Sequence, residues 1–536
     1  MQCSASSIVL IRRRYCIVLL VVIMSVATAS PDRATPRFES PLPFAISDHV
    51  AAFEYLGTGQ AWGDVDGDGC PDLYVTGGDV AGRLLIGDCA GGFVDATTAV
   101  TALAARETGG ASFADYDNDG DLDLYVLARD GDVLLQNDGT GVFSDVSAAA
   151  GIDDPGQGQT AAWGDFDRDG DLDLYVVNWF YRWRSDSPLT RDGLYRNDDG
   201  RFTDISDLLT HETLLRPGFA ASWGDFDNDG DLDLYVVNDK TQGNALWRND
   251  GAGCGGWCFT DVAPANGAFR PASGMGLATG DYDNDGDLDF YYSGVAEAVL
   301  LENMLESGTW HYVERSESAG VSPDAVGWGA VFRDFDNDGW LDIYLATMND
   351  QPDSATNRLY INNRAGGFVD ASAGSGASDP GPTVGVAAAD YDLDGRIDLL
   401  IGNMDQDYRL LRNIHGDGSP EPGGGWLRLE LVGGGPVDTD ALGTRVQLHM
   451  SDGAVLTRES RSGSSIGAGD EIALHFGLGA STVQSLTVRW LDGTIQQLGQ
   501  QPSNAQVEIR HPRFDVVLVD GFESLPGRAV ASATDP

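Results

Sequence analysis

The sequence predicts an all-β protein, on three observations. An aspartate-rich stretch of the form D-x-D-x-D-G-x-x-D recurs seven times, with first aspartates at Asp64, Asp115, Asp165, Asp225, Asp281, Asp334 and Asp390. A run of β-branched and aromatic residues follows, such as "LDLYVV" at 172–177. No long segment carries helical periodicity. Successive loops start 51, 50, 60, 56, 53 and 56 residues apart, which allots one supersecondary unit to each repeat.

Within a repeat the elements come in a fixed order. Small residues lead in ("SFAD", "AAWGD", "GLATGD", "VAAAD"), and the aspartate loop and its apolar run follow. A third segment reads "LLQND", "LYRND", "LWRND" or "LYINN", and a fourth, after a Gly-containing turn, "FSDV", "FTDI", "FTDV" or "FVDA". Four antiparallel strands repeated seven times predict a seven-bladed β-propeller over residues 36–413, with the small residues at the crowded axis. Trp62, Trp163 and Trp223 stand two residues before a loop, Trp328 six before, and all four are expected to pack between blades. The seventh repeat lacks its fourth segment after "LLRN", and "FESPLPF" near the chain start resembles one. The start of the chain is therefore expected to close the ring.

The loop chemistry points to a metal. In "GDFDRDGDLDLYVVN" five aspartates fall within nine positions, and like carboxylates so close repel unless a cation sits among them. Asp165, Asp167 and Asp169 occupy positions 1, 3 and 5, Gly170 the sharp turn at 6, the Asp171 carbonyl position 7, and Asp173 position 9. That is hard-oxygen coordination of the calcium type, set between strands rather than between the helices of an EF-hand. The same reading gives Asp64, Asp66, Asp68 and Asp72; Asp115, Asp117, Asp119 and Asp123; Asp225, Asp227, Asp229 and Asp233; Asp281, Asp283, Asp285 and Asp289; Asp334, Asp336, Asp338 and Asp342; and Asp390, Asp392, Asp394 and Asp398. About seven Ca²⁺ sites are expected, all with a full ligand set. An extracellular-type site with ~10⁻⁴–10⁻³ M affinity adds about 1.4 kcal/mol at tenfold excess, a magnitude that favours a scaffold role over a bridge to a partner.

After the repeats, "IHGDGSPEPGGG" reads as a linker over 414–425. Short alternating segments over 426–510 ("WLRLELV", "RVQLHM", "EIALHFGLG", "LTVRWLDG", "AQVEIR") predict a small β-sandwich-like domain, and 511–536 form a tail containing "DGFES".

At 536 residues, 42% hydrophobic and 9% aromatic, the chain holds ample core for two domains. Its formal charge of -50 and single lysine, Lys240, argue against nucleic acid and anionic membranes as partners. Arg12, Arg13 and Arg14, an apolar stretch from Ile17 to Val26 and "ATA" predict a signal peptide over 1–29, cleaved near Ala29, with a twin-arginine route as an alternative. The product would be secreted, to a periplasm or beyond, with no membrane span. Cys70, Cys89, Cys254 and Cys258 would then lie in an oxidising compartment as two local disulfides, Cys70–Cys89 and Cys254–Cys258. A four-cysteine zinc site is the alternative, but the spacing does not suit it.

The D-x-D-x-D-G-x-x-D loops with "LYRND" and "FTDV" resemble FG-GAP, or VCBS, repeats, the units of the integrin α-chain propeller. "WLRLELVGG", "DALGTRV", "LHFGLG" and "VRWLDG" look like the ASPIC and UnbV domain that follows such repeats in cartilage acidic protein and its bacterial relatives. Asp438 and Thr439 stand where that family often has Asn-Arg, and Leu491, Asp492 and Gly493 where it has Pro-Ser-Gly. The resemblance implies a secreted calcium-binding protein of adhesion or surface recognition.

Signals of catalysis are thin. "GSSIG" at 463–467 matches the nucleophile-elbow pattern around Ser465 but lies in a loop between predicted strands, and the seven histidines form no metal-binding pair. A more suggestive feature is the insertion "WFYRWRSDSPLTRDG" in the third repeat, where Trp179, Tyr181 and Trp183 with Arg182 and Arg184 offer a platform for a sugar or acidic peptide; a strand packed on its neighbour is the plainer reading. The expectation is a non-catalytic binding protein for an unknown protein or glycan. A polysaccharide lyase or hydrolase and a purely structural matrix component are the alternatives.

Overall fold

Six of the seven repeats fold as four antiparallel strands joined in chain order. A computed structural model describes residues 35–530 apart from 41–42, 48–57, 153, 155, 180–190, 210–215, 240–242, 255, 324, 349–355, 416–423, 464 and 515–528. The expected signal peptide, Tyr181 and Trp183 of the insertion, most of the linker and most of the tail therefore lie outside the described residues.

The third unit shows the pattern: Gly158–Gly164, Asp173–Asn178, Gly193–Asn197 and Phe202–Asp204 pair in that order, with the aspartate loop joining the first two strands. Seven such sheets arise from the repeats. The first strand of each touches the first strand of the next, and that of the seventh (Thr383–Ala389) touches that of the first (Gln60–Gly63), so the inner strands form a closed ring. These strands are buried along their length, and small residues let them converge. A Cβ on Gly276 would stand 2.3 Å from the Trp328 carbonyl oxygen of the neighbouring sheet.

Neighbouring sheets share apolar cores. Between the third and fourth sheets, Tyr175 and Val177 pack with Trp223, Leu234 and Trp247, all essentially buried, at about 1.5–3 kcal/mol for each large side chain. Trp62 and Trp163 occupy matching places. Trp328 does not. It lines the central channel with Phe219 and Met275, which like Trp328 stand six residues before their loops, where the other three tryptophans stand two before.

The seventh sheet has only three strands of its own repeat, ending in Asp407–Asn413. Phe38–Glu39 pairs antiparallel with that strand, Phe38 opposite Asn413, and completes it as the sequence implied. Phe38 then packs on Phe335 across the sheet boundary. Both disulfides form as expected, Cys70–Cys89 and Cys254–Cys258.

The C-terminal residues build two four-stranded sheets around one core of Leu427, Val446, Leu448, Phe476, Leu486 and Trp490. One sheet is mixed, Gly425–Val432 running parallel to Ala505–Arg510. This domain is not a bead on a tether. Its segment 465–469 enters the ring: Gly467 N–H donates to Gln159 O (2.7 Å), and Gly467 O accepts from Ala111 N (3.2 Å) and Gln60 N (3.3 Å). Ala468–Gly469 adds a short parallel pairing to Gln60–Ala61, and Ile466 packs inside the channel with Phe219, Met275 and Val384.

Candidate metal centres and the domain that covers them

Burial is graded across each loop, and the cause is local. Position 9 opens the second strand, so Asp72, Asp123, Asp173, Asp233, Asp289, Asp342 and Asp398 are all buried. Positions 1 are mostly buried, positions 3 mostly half-buried, and positions 5 mostly exposed at the loop tip. The turn needs left-handed backbone twice, at position 4 (Asn118 φ 57°, Arg168 φ 58°) and at the position 6 glycine (Gly120 φ 96°, Gly170 φ 99°). Asn at position 4 tolerates this region well.

Hydrogen bonds fold the carboxylates inward. In the third loop Asp165 accepts from Asp169 N (3.1 Å) and Gly170 N (3.0 Å), while Asp173 accepts from Phe166 N (3.1 Å) and Asn197 N (2.9 Å). Carboxylate oxygens of Asp64, Asp66 and Asp72 lie within 4.8 Å of one another, as do those of Asp115, Asp117 and Asp123, of Asp165, Asp167 and Asp173, of Asp225, Asp227 and Asp229, and of Asp281, Asp283 and Asp285. In six of the seven loops a buried carboxylate oxygen has no hydrogen-bond donor, on Asp64, Asp117, Asp167, Asp225, Asp283 and Asp392 among others. Buried oxygens facing neighbours of their own charge suit a hard cation, and the donor set is the one calcium takes.

Electrostatics agree. Burial first, then repulsion from sister carboxylates, pushes Asp64 up to about 6, Asp165 to about 8 and Asp123 to about 9. Asp173, Asp289 and Asp398 are held well above the carboxylate range for the same reasons.

The loops are not equivalent. In the seventh, Arg412 reaches Asp392 (Nε–Oδ2, 2.6 Å) and Asp394 (Nη2–Oδ2, 3.0 Å), and Arg396 pairs with Asp394 as well. Positions 3 and 5 thus already hold cationic partners. The residue before the strand-end Asn varies in what it does: Gln136 in the second unit donates to Asp117 (2.6 Å), Glu302 in the fifth adds negative charge beside Asp283, and Arg196 and Arg248 in the third and fourth pair with Asp198 and Asp250 outside the loops.

A second network was hidden in "LYRND". Its Asn side chain donates to the carbonyl at position 8 of its own loop and to the carbonyl at position 2 of the preceding one. Asn197 Nδ2 reaches Leu172 O (3.1 Å) and Tyr116 O (2.7 Å). Asn137, Asn249, Asn303, Asn362 and Asn413 do the same. The first unit has Gly87 there, where a Cβ would meet the Pro71 carbonyl at 2.4 Å, and the Cys70–Cys89 disulfide sits beside it instead. The repetition of Asn in the motif was the available signal.

The C-terminal domain sits on the loop-bearing face. Thr439 N donates to Asn118 Oδ1 (2.9 Å), Asp440 accepts from Asp115 N (2.8 Å), Arg445 Nη2 donates to Asp225 O (2.6 Å), and His475 Nε2 pairs with Asn337 Oδ1 (2.7 Å). The departures at Asp438 and Thr439 thus lie in a docking segment. Asp492 caps its own turn through Thr494 N (2.8 Å).

The other sequence candidates fall differently. Ser465 is buried, its Oγ accepting from Ala330 N (2.8 Å), which leaves no nucleophile elbow. Trp179 does not stand open as a platform: it is 7% exposed, stacks on Phe219 at 5.1 Å and donates Nε1–H to Asp239 (3.0 Å). It sits at the strand end beside the channel, so packing prevails over display.

A ring of four-stranded sheets, each contributing one acidic loop beneath a covering β domain, defines a repeat propeller. The FG-GAP-like repeat family matches residues 64–126, 115–176, 225–292 and 334–401, which take in all seven loops, and the ASPIC and UnbV family matches residues 434–515. The chain therefore carries FG-GAP-like repeats followed by an ASPIC and UnbV domain. It is similar to cartilage acidic protein 1 of Xenopus tropicalis, 26% identical over 297 residues, covering 54% of this chain and 44% of that one. The Homo sapiens protein gives 26% over 298 residues, covering 54% and 43%. The chain thus spans less than half the length of the curated relatives it matches. Among solved structures it resembles an Agrocybe aegerita lectin described as recognising non-reducing terminal N-acetylglucosamine (16% identity, TM-score 0.40, 67% of this chain and 90% of that one) and AofleA of Arthrobotrys oligospora (11%, TM-score 0.31, 64% and 90%). Among the described residues no helix is long and apolar enough to cross a membrane.

Proposed function

We propose that this is a secreted calcium-loaded propeller acting as a non-catalytic adhesion or surface-recognition protein, with calcium as its scaffold. The observation that carries the calcium reading is the set of buried carboxylate oxygens, in six of seven loops, that no donor reaches. Asp165, Asp167, Asp169 and Asp173, and their counterparts, would hold the ion. Its charge would neutralise acids that otherwise take up protons near neutral pH. The disulfides support export to an oxidising compartment. Recognition without turnover is supported by the channel, whose loop-side mouth is filled by the chain's own 465–469 segment, and by the similarity to cartilage acidic protein.

The test is a metal count and a melt on the purified mature chain. Calcium at about seven per chain and a large fall in Tm on chelation are expected; unchanged melting after complete calcium removal would refute the scaffold role. A glycan and matrix-protein array separates the functional readings: binding without product supports recognition, and product formation would replace it with an enzyme.

A further inference from the structure

A cavity of about 70 Å³ lies where the C-terminal domain meets the inner strands of the fifth, sixth and seventh sheets and Ser222 of the fourth. Thr279 and Arg333 line it from the ring, and Thr457, Arg458, Arg461 and His475 from the domain. Its hydrogen bonding is lopsided. Arg458 Nε, Thr279 Oγ1 and Thr457 Oγ1 are buried with no hydrogen-bond partner, and so is Arg461 Nη1, whose nearest acid is Glu459 Oε1 at 3.9 Å.

The acids of the same wall are satisfied. Asp470 binds Arg333 (2.8 Å) and Ala388 N (2.7 Å), and Glu459 binds Arg445 (2.8 Å). Glu471 pairs with Arg428, Asp281 accepts from Asp285 N (3.0 Å) and Gly286 N (3.1 Å), and Asp334 from Asp338 N (3.0 Å) and Gly339 N (2.7 Å). Apart from His475 Nδ1, left as an acceptor by a ring that gives its Nε2–H to Asn337 Oδ1, the wall has no free acceptor for these donors.

The positive field has the same sense. Arg458 is lowered chiefly by burial. Arg461 is brought down to about 10 by burial and by Arg333, Arg445 and Arg458, and His475 to about 3 by burial and by Arg458, Arg333 and Arg428. Asp281 and Asp334 offset this charge only while they are free of metal, so the charge balance rests on the calcium reading above. The hydrogen-bond imbalance does not.

We propose that this cavity binds a small inorganic anion, held by Arg458 and Arg461 with the two threonine hydroxyls, which fastens the C-terminal domain to the ring. A buried donor left unmatched is costly, and a guanidinium–anion contact is among the strongest ways to match it. A water needs roughly 10–15 Å³ of such space, so the cavity also has room for a hydration partner beside a halide.

The experiment uses the calcium-loaded full chain. Crystals grown with bromide as the only small anion are expected to show a bromide anomalous peak between Arg458 and Arg461. In solution, replacing gluconate, whose thirteen heavy atoms exceed the roughly five to seven waters the space would hold, by bromide at equal ionic strength should raise Tm by a few degrees, and Arg461→Met should abolish that rise. Ordered water alone in the cavity, with no bromide peak and no anion-dependent melting in the wild type, would overturn the proposal. Both readouts on the wild type stand even if the variant fails to fold. A parallel calcium count tells failure here from failure of the metal reading: full calcium without bromide sinks only the anion.

Discussion

Ser465 Oγ accepts the backbone N–H of Ala330 at 2.8 Å, joining the C-terminal domain to the sixth sheet from inside the ring. Ser465 is fully buried, so Ser465→Ala leaves that N–H unmatched. The expected loss is about 1–3 kcal/mol in urea unfolding, with the two domains still melting together. A loss confined to the C-terminal domain would show that the segment contributes nothing to the ring.

The asparagine staples should weigh more than their surface counterparts. Asn197→Ala removes two bonds to buried carbonyls and is expected to cost about 2–4 kcal/mol. Asp198→Ala, one residue on and exposed, loses only a pairing with Arg196 and should stay within about 0.5 kcal/mol. Equilibrium unfolding of the two variants checks the contrast.

Asp192 gives a pH dependence free of the metal loops. Its carboxyl accepts from Tyr175 Oη (2.8 Å) and Asn178 N (2.7 Å), and burial holds it well above the usual range. A carboxyl raised in the folded state favours the fold below the unfolded value of about 3.9, and that contribution fades as pH rises toward the folded value. Asn244 and Asn357 do the same task against Tyr235 and Tyr344 with a neutral side chain. Asp192→Asn should therefore raise Tm by a few degrees at pH 8 and converge on the wild type toward pH 4. A variant less stable at pH 8 would refute this.

The seventh loop should be the weakest calcium site, since Arg412 and Arg396 already pair with Asp392 and Asp394. Calcium titration followed by native mass spectrometry should show the last ion binding well after the others. Arg412→Gln should strengthen that step by about tenfold or more while leaving the earlier ones unchanged.

The two disulfides should differ in weight. Cys70–Cys89 closes a separation of 19 residues and Cys254–Cys258 one of 4, so chain-entropy reasoning gives about 3 and about 2 kcal/mol. The first also stands where the asparagine staple is missing. Paired serine substitutions compared by chemical unfolding test the order.

Much of this architecture was legible because repetition amplifies weak signals. One "GDFDRDGDLD" is ambiguous, but seven at a near-constant interval fixed the strand pairing, the glycine turn and the closing strand at Phe38. The coupling between repeats was not legible. That Asn197 reaches Tyr116 depends on which loop lies beside it in space, and a motif cannot carry that. The docking of 465–469 was hidden for another reason: "SIGAG" has a composition shared by any exposed loop, and only a ring wide enough to admit it makes small residues necessary. Trp179 follows the plainer of its two readings: the aromatic-rich string left display and packing both open, and Phe219 with the buried Asp239 takes this ring inward.

Closure of the seventh sheet by Phe38–Glu39 also imposes a timetable. This strand leaves the ribosome before any repeat, yet its partner Asp407–Asn413 is the last of the propeller to be made. The earliest-made strand is thus the latest to dock, and until then both flanks of the nascent array offer unsatisfied edges. The axial segment can be enclosed only once the circle is complete, so its docking would report that every repeat has been counted in.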